Sequence, residues 1–433
     1  MGTEKLKTIR GMRDILPADS GWWQRMERQL AAELARFGYR EIRTPILEQS
    51  ALFARSIGQE TDIVSKEMYT FEDRDGSLLS LRPEGTAAVV RAVIEHNLAR
   101  AEPVQRLYYQ GPMFRHERPQ KGRYRQFHQL GAELFGTAEP AADVELIDLM
   151  VACMAAIGLD DCSLQLNSLG CGVCRPPYRR KLVDFLSGHR QALCADCRRR
   201  LETNPLRVLD CKQPGCQAVA EQAPRMLDHL CADCREHFDA VRRGLDALAH
   251  PYRLDHRMVR GLDYYNRTTF ELLAEGLGAQ NAVAAGGRYD GLVAELGGPE
   301  LPAVGFAAGL DRILLLLRER LAPPAAAPLV FVVTRGEQAW LQALALMQRL
   351  RRAGLAVSCD VRQGSLKSQM KRADKDGARW VLLLGEDELA RRVVTIKDMA
   401  AAAEAADKQA SVALDEVDTH LLRRAMDTGE KGA

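Results

Sequence analysis

The residues between positions 115 and 125 carry the strongest sign of chemistry in this sequence. The stretch Arg115-His-Glu-Arg-Pro-Gln-Lys-Gly-Arg-Tyr-Arg125 holds five Arg or Lys and one Glu, a local charge of +4 in a chain of net charge +2. Arginine forms planar, bidentate hydrogen bonds to phosphate and stays charged at any working pH. Because Arg115 falls within strand patterning, where an unpaired guanidinium is costly to bury, we interpret the stretch as an anion-binding hairpin. A solvated charged hairpin is the alternative.

The strand that follows presents a row of side chains suited to a ligand. Strand periodicity places Phe127, Gln129, Gly131 and Glu133 on one face. The row offers an aromatic ring, an amide, a gap and a carboxylate. Since glycine inside a strand often marks the close approach of a ligand to the backbone, this face is predicted to bind one.

Two further arginines occupy unusual positions. Arg260 opens the run Arg260-Gly-Leu-Asp-Tyr-Tyr265, just before a predicted strand. Arg312 follows the glycine-lined segment Gly305–Gly309 and falls in the first turn of a predicted helix, against the helix dipole. A bound anion would account for Arg312, whereas chance placement on a solvated turn is the alternative. Ordinary edge aromatics are the alternative for the two tyrosines.

Glu84 and Thr86 precede a helix predicted over residues 87–99, where they either contact a ligand or cap the helix. The sequence has no GxxxxGK[ST] phosphate loop and no dinucleotide fingerprint, and no nucleophile–base pair stands out. This inventory favours phosphoryl or nucleotidyl chemistry driven by positioning and charge neutralisation.

Cysteines are concentrated in one region, with eight of the 11 between Cys171 and Cys234. In a reducing compartment such clustering indicates thiols or metal ligands rather than a disulfide framework. The spacing is typical of structural zinc. Three CxxC pairs and two further thiols make up the set: Cys171 and Cys174, Cys194 and Cys197, Cys231 and Cys234, with Cys211 and Cys216. The predicted zinc ligands are Cys194, Cys197, Cys231 and Cys234, with plain reduced thiols as the alternative.

Hydrophobic periodicity predicts the elements that position these residues. An apolar stripe at helical spacing, Trp23, Met26, Leu30, Leu34 and Phe37, predicts a helix that begins after Asp19 or Ser20 and ends at Gly38. Strands are predicted over 39–47, 78–82, 104–110, 113–117, 124–135 and 163–167, and a helix over 141–157. The 113–117 and 124–135 strands should form an antiparallel hairpin.

Strand patterning stops between about 171 and 250, which predicts an inserted helical module. Strands resume over 252–256 and 264–274, and a glycine-rich turn is predicted over Gly286–Gly291. The stretch Pro323–Pro328 predicts a linker. Four strands alternating with helices then predict a small α/β domain. We therefore expect domains over residues 1–325 and 329–433.

The length and composition set outer limits on the class of protein. A chain of 433 residues, 46% hydrophobic and 27% charged, is an ordinary globular protein of two or three domains. The net charge of +2 excludes a globally basic nucleic-acid binder but leaves room for a local basic patch. With neither a signal-peptide pattern nor an apolar run of membrane-spanning length, we expect a cytoplasmic protein with no membrane partner.

In this order, the motifs resemble those of bacterial histidine–tRNA ligases, which are class II aminoacyl-tRNA synthetases. The matching stretches are Leu81–Thr86, Gly111–Gly131, Arg260–Tyr265, Gly286–Gly291, Gly305–Arg312 and Lys367–Lys375. The resemblance implies an α+β catalytic domain, whose antiparallel sheet is flanked by helices, with a helical insertion and a C-terminal α/β anticodon-binding domain. It also implies a homodimer, with the first long helix and the strand ending near Pro45 at the interface.

The resemblance further implies ATP-dependent ligation of L-histidine to its tRNA through histidyl-adenylate, with Mg²⁺ accompanying ATP. It assigns Arg260 and Arg115 as catalytic. Histidine would contact Glu84, Gly85, Thr86, Arg115, Gln129, Glu133, Arg260, Tyr264 and Tyr265. Of these, Glu84, Thr86, Gln129 and Glu133 would hold its α-amino and carboxylate side, and the two tyrosines would line its imidazole end. ATP would contact Arg115, Glu117, Arg123, Phe127 and Arg312. The acceptor end of tRNA would contact Arg118 and Gln120, with a second basic stretch at Arg362–Arg372.

Two other readings compete with this interpretation. A non-catalytic paralogue, the histidine-binding regulatory subunit of ATP phosphoribosyltransferase, shares the catalytic fold but typically lacks the anticodon domain and much of the ATP-binding equipment. A zinc-bearing nucleic-acid-binding protein would explain the cysteines but not the pocket residues. Because Arg115, Arg123, Arg260 and Arg312 are all present and residues 329–433 follow the linker, the sequence favours the ligase.

Overall fold

The chain divides into two compact units, Met1–Pro323 and Pro324–Ala433. The structure, a computed structural model, describes residues 5–59, 61–277, 281–323, 329–401 and 408–427. The predicted linker lies outside these ranges except for Pro323. Within them, no helix combines the length and the apolar character that crossing a membrane requires.

An eight-stranded sheet forms the centre of the first unit. The strands of this unit are β1 (Arg40–Glu41), β2 (Leu47–Gln49), β3 (Thr70–Glu72), β4 (Leu78–Leu81), β5 (Gln105–Phe114), β6 (Gln126–Phe135), β7 (Ser163–Ser168), β8 (Tyr252–Leu254), β9 (Asn266–Leu273), β10 (Ala282–Arg288) and β11 (Ala303–Gly309). The large sheet has the order β1-β5-β6-β11-β10-β9-β7-β8, and a small sheet has the order β2-β4-β3. Only the edge pairs β1–β5 and β7–β8 are parallel.

Helices cover the sheet and bury its apolar side chains. They are α1 (Pro17–Arg36), α2 (Ser50–Ile57), α3 (Thr86–Glu95), α4 (Leu98–Ala101), α5 (Pro140–Ala156), α6 (Arg175–Gly188), α7 (Ala195–Thr203), α8 (Pro214–Glu221), α9 (Ala232–Ala247), α10 (Leu292–Glu295) and α11 (Leu310–Arg320). Helix α1 begins at Pro17 rather than after Asp19 or Ser20, because proline in the first turn has a suitable φ and no N–H to leave unpaired. Met26, Leu30 and Leu34 of the predicted stripe are buried.

The predicted hairpin is present as the pair β5–β6. Its register runs from Gln105 opposite Phe135 to Phe114 opposite Gln126, so the two strands predicted over 104–117 are one strand that continues through Pro112. The strand predicted over 39–47 is instead divided between the two sheets, as β1 and the start of β2.

The glycine-rich turn predicted over Gly286–Gly291 is wrong in its first half, which is the end of β10. A Cβ on Gly286 would lie 2.2 Å from the carbonyl oxygen of Gly305, and one on Gly287 would lie 2.7 Å from that of Thr268. The glycines are therefore needed for close packing between strands rather than for a turn.

The region predicted as a helical insertion contains α6 to α9 and no strand between residues 171 and 250, all of which are described. Short 3₁₀ turns connect these helices. The region leaves the large sheet after β7 and returns to it at β8.

The second unit is a small α/β fold. Its strands are β12 (Leu329–Thr334), β13 (Ala356–Cys359), β14 (Ala378–Leu384), β15 (Val393–Asp398) and β16 (Gln409–Ala413), and its helices are α12 (Glu337–Arg352), α13 (Leu366–Lys375), α14 (Glu386–Ala390) and α15 (Val417–Asp427). The sheet order is β13-β12-β14-β15-β16, with β15 and β16 antiparallel to their neighbours. Strand β16 was not predicted from the sequence.

Candidate active site

All the predicted histidine- and ATP-binding residues except Gly85 and Glu133 line one cavity of the first unit, with a volume of about 310 Å³. The predicted residues that line it are Glu84, Thr86, Arg115, Glu117, Arg123, Phe127, Gln129, Arg260, Tyr264, Tyr265 and Arg312. Arg115, Arg260 and Arg312, which are far apart in the sequence, thus line a single cavity.

Arg115 lies directly after β5, where its backbone N–H extends the hairpin by donating to the carbonyl of Arg125 at 2.9 Å. Its Nε donates to the carbonyl oxygen of Pro83 at 2.9 Å, and its guanidinium carbon lies 5.3 Å from the ring centre of Phe127. One nitrogen is therefore used to orient the side chain. The terminal nitrogens face the cavity, with Nη1 3.9 Å from the nearest Glu117 oxygen.

Arg123 and Arg312 bring two positive charges close together. Arg123 donates to Glu117 at 2.9 Å. Arg312, in the first turn of α11, makes no hydrogen bond or ion pair within the described part of the chain. Burial lowers the pKa of Arg312, and the charge of Arg123 lowers it further. A bound anion would relieve this repulsion, so the pair is suited to phosphate.

Arg260 reaches the cavity from the segment before β9. Its guanidinium pairs with Glu271 of β9, and its carbon lies 5.5 Å from the ring centre of Tyr265. Its Nε is buried and has no hydrogen-bond partner among the residues that are described. A buried donor without a partner is unusual in a folded protein, and a ligand oxygen would satisfy it.

Glu133 does not line the cavity itself but is buried next to the lining residue Thr86, with only 1% of its surface exposed. Its carboxyl accepts hydrogen bonds from the hydroxyl of Thr86 at 2.7 Å and from that of Tyr289 at 2.5 Å. Burial raises the pKa of Glu133 to about 8, although the two hydroxyl donors act in the opposite direction, and the charge of Glu84 raises it further. The carboxyl is therefore largely protonated at neutral pH.

Glu84 caps helix α3 and lines the cavity at the same time. Its two carboxyl oxygens accept from the backbone N–H groups of Thr86 and Ala87, at 2.7 and 2.9 Å. Gly85 between them has no room for a side chain, because a Cβ there would lie 2.1 Å from the ring of Tyr109. The capping alternative for Glu84 is thus correct, although the side chain also lines the cavity. Burial raises the pKa of Glu84.

Two tyrosines of this region were missed in the sequence analysis. Tyr289 donates to Glu133, and its ring centre lies 5.5 Å from that of Tyr264 and 6.4 Å from that of Tyr265. Its position directly after β10, two residues beyond the paired glycines, was the available signal. The ring of Tyr109 fills the gap at Gly131, where a Cβ would lie 2.2 Å from it, so this glycine accommodates a side chain of the protein rather than a ligand.

The predicted tRNA contacts lie apart from the cavity lining. Arg118 and Gln120 are exposed on the loop between β5 and β6, where Gln120 forms an isolated β-bridge with Arg123. The loop therefore joins an arginine that lines the cavity to two side chains that are exposed to solvent.

A wider cleft of about 860 Å³ opens from the cavity and shares Arg115, Arg123 and Arg260 with it. Its opposite wall belongs to the insertion and includes one carboxylate, Asp210, neutral Asn204, and four positively charged side chains: Arg199, Arg200, Arg207 and Lys212. Two contacts hold this wall in place. Arg200 pairs with Asp62 at 3.1 Å, and Asn204 donates to Asp263 at 3.0 Å.

The cysteines of the insertion form two groups, and the predicted zinc-ligand set is wrong. One group is Cys171, Cys174, Cys231 and Cys234, and the other is Cys194, Cys197, Cys211 and Cys216. The predicted pairs 194/197 and 231/234 therefore belong to different groups. The spacing of each CxxC pair was visible in the sequence, but the choice of partner pair is set by the path of the chain between the helices.

Comparisons with known proteins agree with this geometry. Residues 11–313 match the histidyl-tRNA synthetase family, and residues 329–424 match the anticodon binding domain. The histidine–tRNA ligase of Syntrophotalea carbinolica is 51% identical over 416 residues, covering 96% of this chain and 98% of that one. The histidine–tRNA ligase of Trichlorobacter lovleyi is 53% identical over 392 residues, covering 90% and 93%.

Solved structures show the same relationship. The apo histidyl-tRNA synthetase of S. aureus superposes with a TM-score of 0.80 at 36% identity, covering 96% of this chain and 99% of that one. A Bacillus halodurans protein described as an ATP phosphoribosyltransferase regulatory subunit/histidyl-tRNA synthetase has a TM-score of 0.64 at 23% identity, covering 89% and 99%, and shares the fold. The fold is that of a class II aminoacyl-tRNA synthetase. Within that class, the chain belongs to the histidyl-tRNA synthetase family.

Proposed function

We propose that this chain ligates L-histidine to its cognate tRNA in two steps. The histidine carboxylate attacks the α-phosphorus of ATP, and the bond between this phosphorus and the oxygen that bridges to the β-phosphorus breaks. The products are histidyl-adenylate and pyrophosphate. A hydroxyl at the 3′ end of tRNA then attacks the acyl carbon and AMP leaves. The observation that carries the proposal is the convergence of Arg115, Arg123, Arg260 and Arg312 on one cavity with a polar, tyrosine-lined pocket.

The arginines supply the electrostatics of the first step. A carboxylate that approaches a phosphate brings two anions together, so fixed guanidinium groups lower the barrier by neutralising and aligning them. Arg115 and Arg260, which lie beside the pocket, would hold the carboxylate and the α-phosphate. Arg123 and Arg312, whose charges repel each other without a ligand, would hold the β- and γ-phosphates, and Phe127 would stack on the adenine.

The pocket beyond these arginines suits a polar amino acid. Glu84, Thr86 and Gln129 would receive the α-amino group, and Glu133 with the three tyrosines Tyr264, Tyr265 and Tyr289 would surround the imidazole. This arrangement moves Glu133 from the backbone side of histidine, where the sequence analysis had placed it, to the side-chain end, because its partner is Tyr289. An apolar amino acid would leave these buried groups unpaired, and discrimination of this kind can reach ~10⁴-fold.

Mg²⁺ would enter this site together with ATP. Glu67 and Glu117 both line the wider cleft, where burial and the charge of Glu117 raise the pKa of Glu67. Carboxylate oxygens beside phosphates are the ligands that Mg²⁺ prefers. A divalent cation would supply charge neutralisation there, and Glu117 is the carboxylate nearest to Arg123.

For tRNA, we assign the acceptor end to the β5–β6 loop with Arg118 and Gln120, and the anticodon to the second unit, residues 329–433. The basic stretch Arg362–Arg372 of that unit, which includes the start of α13, offers phosphate contacts. Phosphate contacts release counterions, so affinity should fall steeply with salt. Binding that stays constant between low and physiological salt would contradict this assignment.

A homodimer is supported by an uncovered apolar face on the small sheet. Leu47 and Phe71 lie on the same face in the strand register and are 43% and 45% exposed. Leu47 lies two residues after Pro45, near which the interface was expected. The apolar stripe of α1 is buried within its own unit, so the sheet rather than that stripe is the surface for a second copy. Sedimentation equilibrium tests the dimer directly.

Histidine-dependent exchange of pyrophosphate into ATP tests the function. Replacing Arg260 by Ala should lower the exchange rate by about 10²–10³-fold, the effect of removing one group that stabilises transition-state charge, with a much smaller change in the KM for ATP. Arg253→Ala, on the exposed edge strand β8, is the control and should exchange like the wild type. Histidine binding without exchange in the wild type would instead support the regulatory alternative.

A further inference from the structure

Two groups of four cysteine sulfurs in the insertion have the dimensions of a metal site. Within each group all four sulfurs lie within 4.8 Å of one another. Cys171 Sγ lies 3.8 Å from both Cys174 Sγ and Cys231 Sγ, and Cys194 Sγ lies 4.0 Å from Cys211 Sγ. A tetrahedron with Zn–S bonds of ~2.3 Å has edges of ~3.8 Å. Disulfide sulfurs would be ~2.05 Å apart, so these are eight thiols around two points.

The surrounding backbone favours thiolates at both points. Cys174, Cys194 and Cys231 are the N-terminal caps of α6, α7 and α9, where helix dipoles stabilise negative charge. Backbone N–H groups also point at the sulfurs, with Cys171 donating to Cys174 Sγ and Cys194 donating to Cys216 Sγ, each at 3.2 Å. Each metal-binding event would release the remaining thiol protons to solvent.

Burial and ligand type select the metal. In each group two cysteines are buried and two are partly exposed, and no carboxylate or imidazole joins either group among the described residues. Four thiolates in a tetrahedron are typical of zinc or of iron–sulfur clusters. Sulfurs this close to one another leave room for one ion rather than for a cluster of iron and sulfide.

We propose that the insertion holds two structural Zn²⁺ ions, one on Cys171, Cys174, Cys231 and Cys234 and the other on Cys194, Cys197, Cys211 and Cys216. The first ion joins the start of the insertion to its last long helix, α9. The second joins the start of α7 to α8, which contains Cys216, and to Cys211 in the segment before α8. Both ions are distinct from the proposed catalytic machinery.

Each ion stabilises a segment that contacts the catalytic cavity. Arg175, next to a ligand of the first ion, donates to the carbonyl oxygens of Leu169 at 3.0 Å and Tyr265 at 2.5 Å. Helix α7, which begins at a ligand of the second ion, carries Arg200, and Asn204 follows it directly. These two residues hold the cleft wall against the first unit's own Asp62 and Asp263.

Metal analysis of the full-length chain tests the proposal. Protein purified without chelators or metal-affinity resin should contain two zinc ions per chain by inductively coupled plasma mass spectrometry. The double variants Cys231→Ser/Cys234→Ser and Cys194→Ser/Cys197→Ser should each retain one ion. Cys359→Ser, in the second unit, is the matched control and should retain two. Iron in place of zinc, fewer than two ions in the wild type, or a zinc content that either double variant leaves unchanged would overturn the proposal.

A second measurement applies to the wild type alone and does not depend on the variants folding. Titration with a mercurial thiol reagent in the presence of a zinc-sensitive dye should release two zinc ions in proportion to eight modified cysteines. Protein produced with Co²⁺ should show the visible absorption of tetrahedral cobalt–thiolate at both sites. Absence of zinc release, or the spectrum of octahedral cobalt, would contradict four-cysteine coordination.

Discussion

Replacing Glu133 by Gln tests whether this buried carboxyl controls the pH dependence of histidine binding. Burial raises the pKa of Glu133 to about 8. At pH 7 the ratio of protonated to ionised carboxyl is then about 10 to 1, since 8 − 7 is one unit. The hydroxyls of Thr86 and Tyr289 occupy one acceptor position on each oxygen, which leaves acceptor capacity for a ligand N–H.

The expected magnitude follows from this ratio. If histidine binds the ionised carboxylate, its apparent dissociation constant is multiplied by 1 + 10^(8 − pH), which is about 11 at pH 7, about 2 at pH 8 and close to 1 above pH 9. Histidine affinity should therefore rise about fivefold between pH 7 and pH 8. The Glu133→Gln variant lacks this titration. Above pH 9, where the wild-type carboxyl is ionised, the variant should bind more weakly by roughly 10–150-fold, because a charged hydrogen bond of ~1.5–3 kcal/mol is lost.

Calorimetric titration with histidine, in buffers of different ionisation enthalpy, measures both quantities. Wild type should release about 0.9 more protons per histidine at pH 7 than Glu133→Gln, because the protonated fraction is about 10/11. Titration of histidine itself is common to both proteins and cancels in the difference. Equal proton release by the two proteins, or equal pH slopes of affinity, would refute the assignment of a raised pKa to Glu133.

Two further predictions concern charge and packing in the same unit. Arg312→Ala should raise the KM for ATP in pyrophosphate exchange by roughly 10–150-fold, as expected for loss of a charged hydrogen bond. The melting temperature should not fall, because the substitution also removes the repulsion between Arg312 and Arg123. An unchanged KM would contradict phosphate binding by Arg312. Gly131→Ala should lower the free energy of unfolding by ~1–3 kcal/mol, because the added methyl overlaps the ring of Tyr109. In the same denaturant titration the control Gly21→Ala, whose added methyl meets no atom within 4 Å, should be neutral or slightly stabilising.

Local patterns made the main elements of the first unit predictable from the sequence. The stripe that includes Met26, Leu30 and Leu34 determines the buried face of α1, and alternation over residues 124–135 determines β6. Both patterns report on neighbours within a few residues, where helix and strand geometry leave few alternatives. The convergence of Arg115, Arg260 and Arg312 was instead inferred from the order of family motifs, because no local pattern encodes a distance across a sheet.

The errors arise where the answer depends on contacts distant in sequence. Paired glycines suggested a turn at Gly286, but the determining contact is with Gly305 on the neighbouring strand. That interpretation concealed Tyr289, whose partner Glu133 is 156 positions away. The predicted set of zinc ligands was wrong for the same reason. A CxxC spacing places two sulfurs together at a helix start, whereas the packing of α6, α7 and α9 decides which pairs meet.

The charges of the cavity are balanced only when substrates are present. Arg312 stands beside Arg123 with its pKa lowered, so its charge is unfavourable in the free protein, whereas burial keeps Glu133 largely neutral. Nucleotide phosphates would neutralise the charge of Arg312, and a histidine N–H would favour ionisation of Glu133. The residues concerned lie on β6 and at the start of α11, where continuous strand pairing between β6 and β11 fixes the backbone. A sheet of this kind can hold side chains with unbalanced charges in position, because its stability comes from backbone pairing and the apolar core. Charged groups that are fixed in this way before substrates bind favour the transition state.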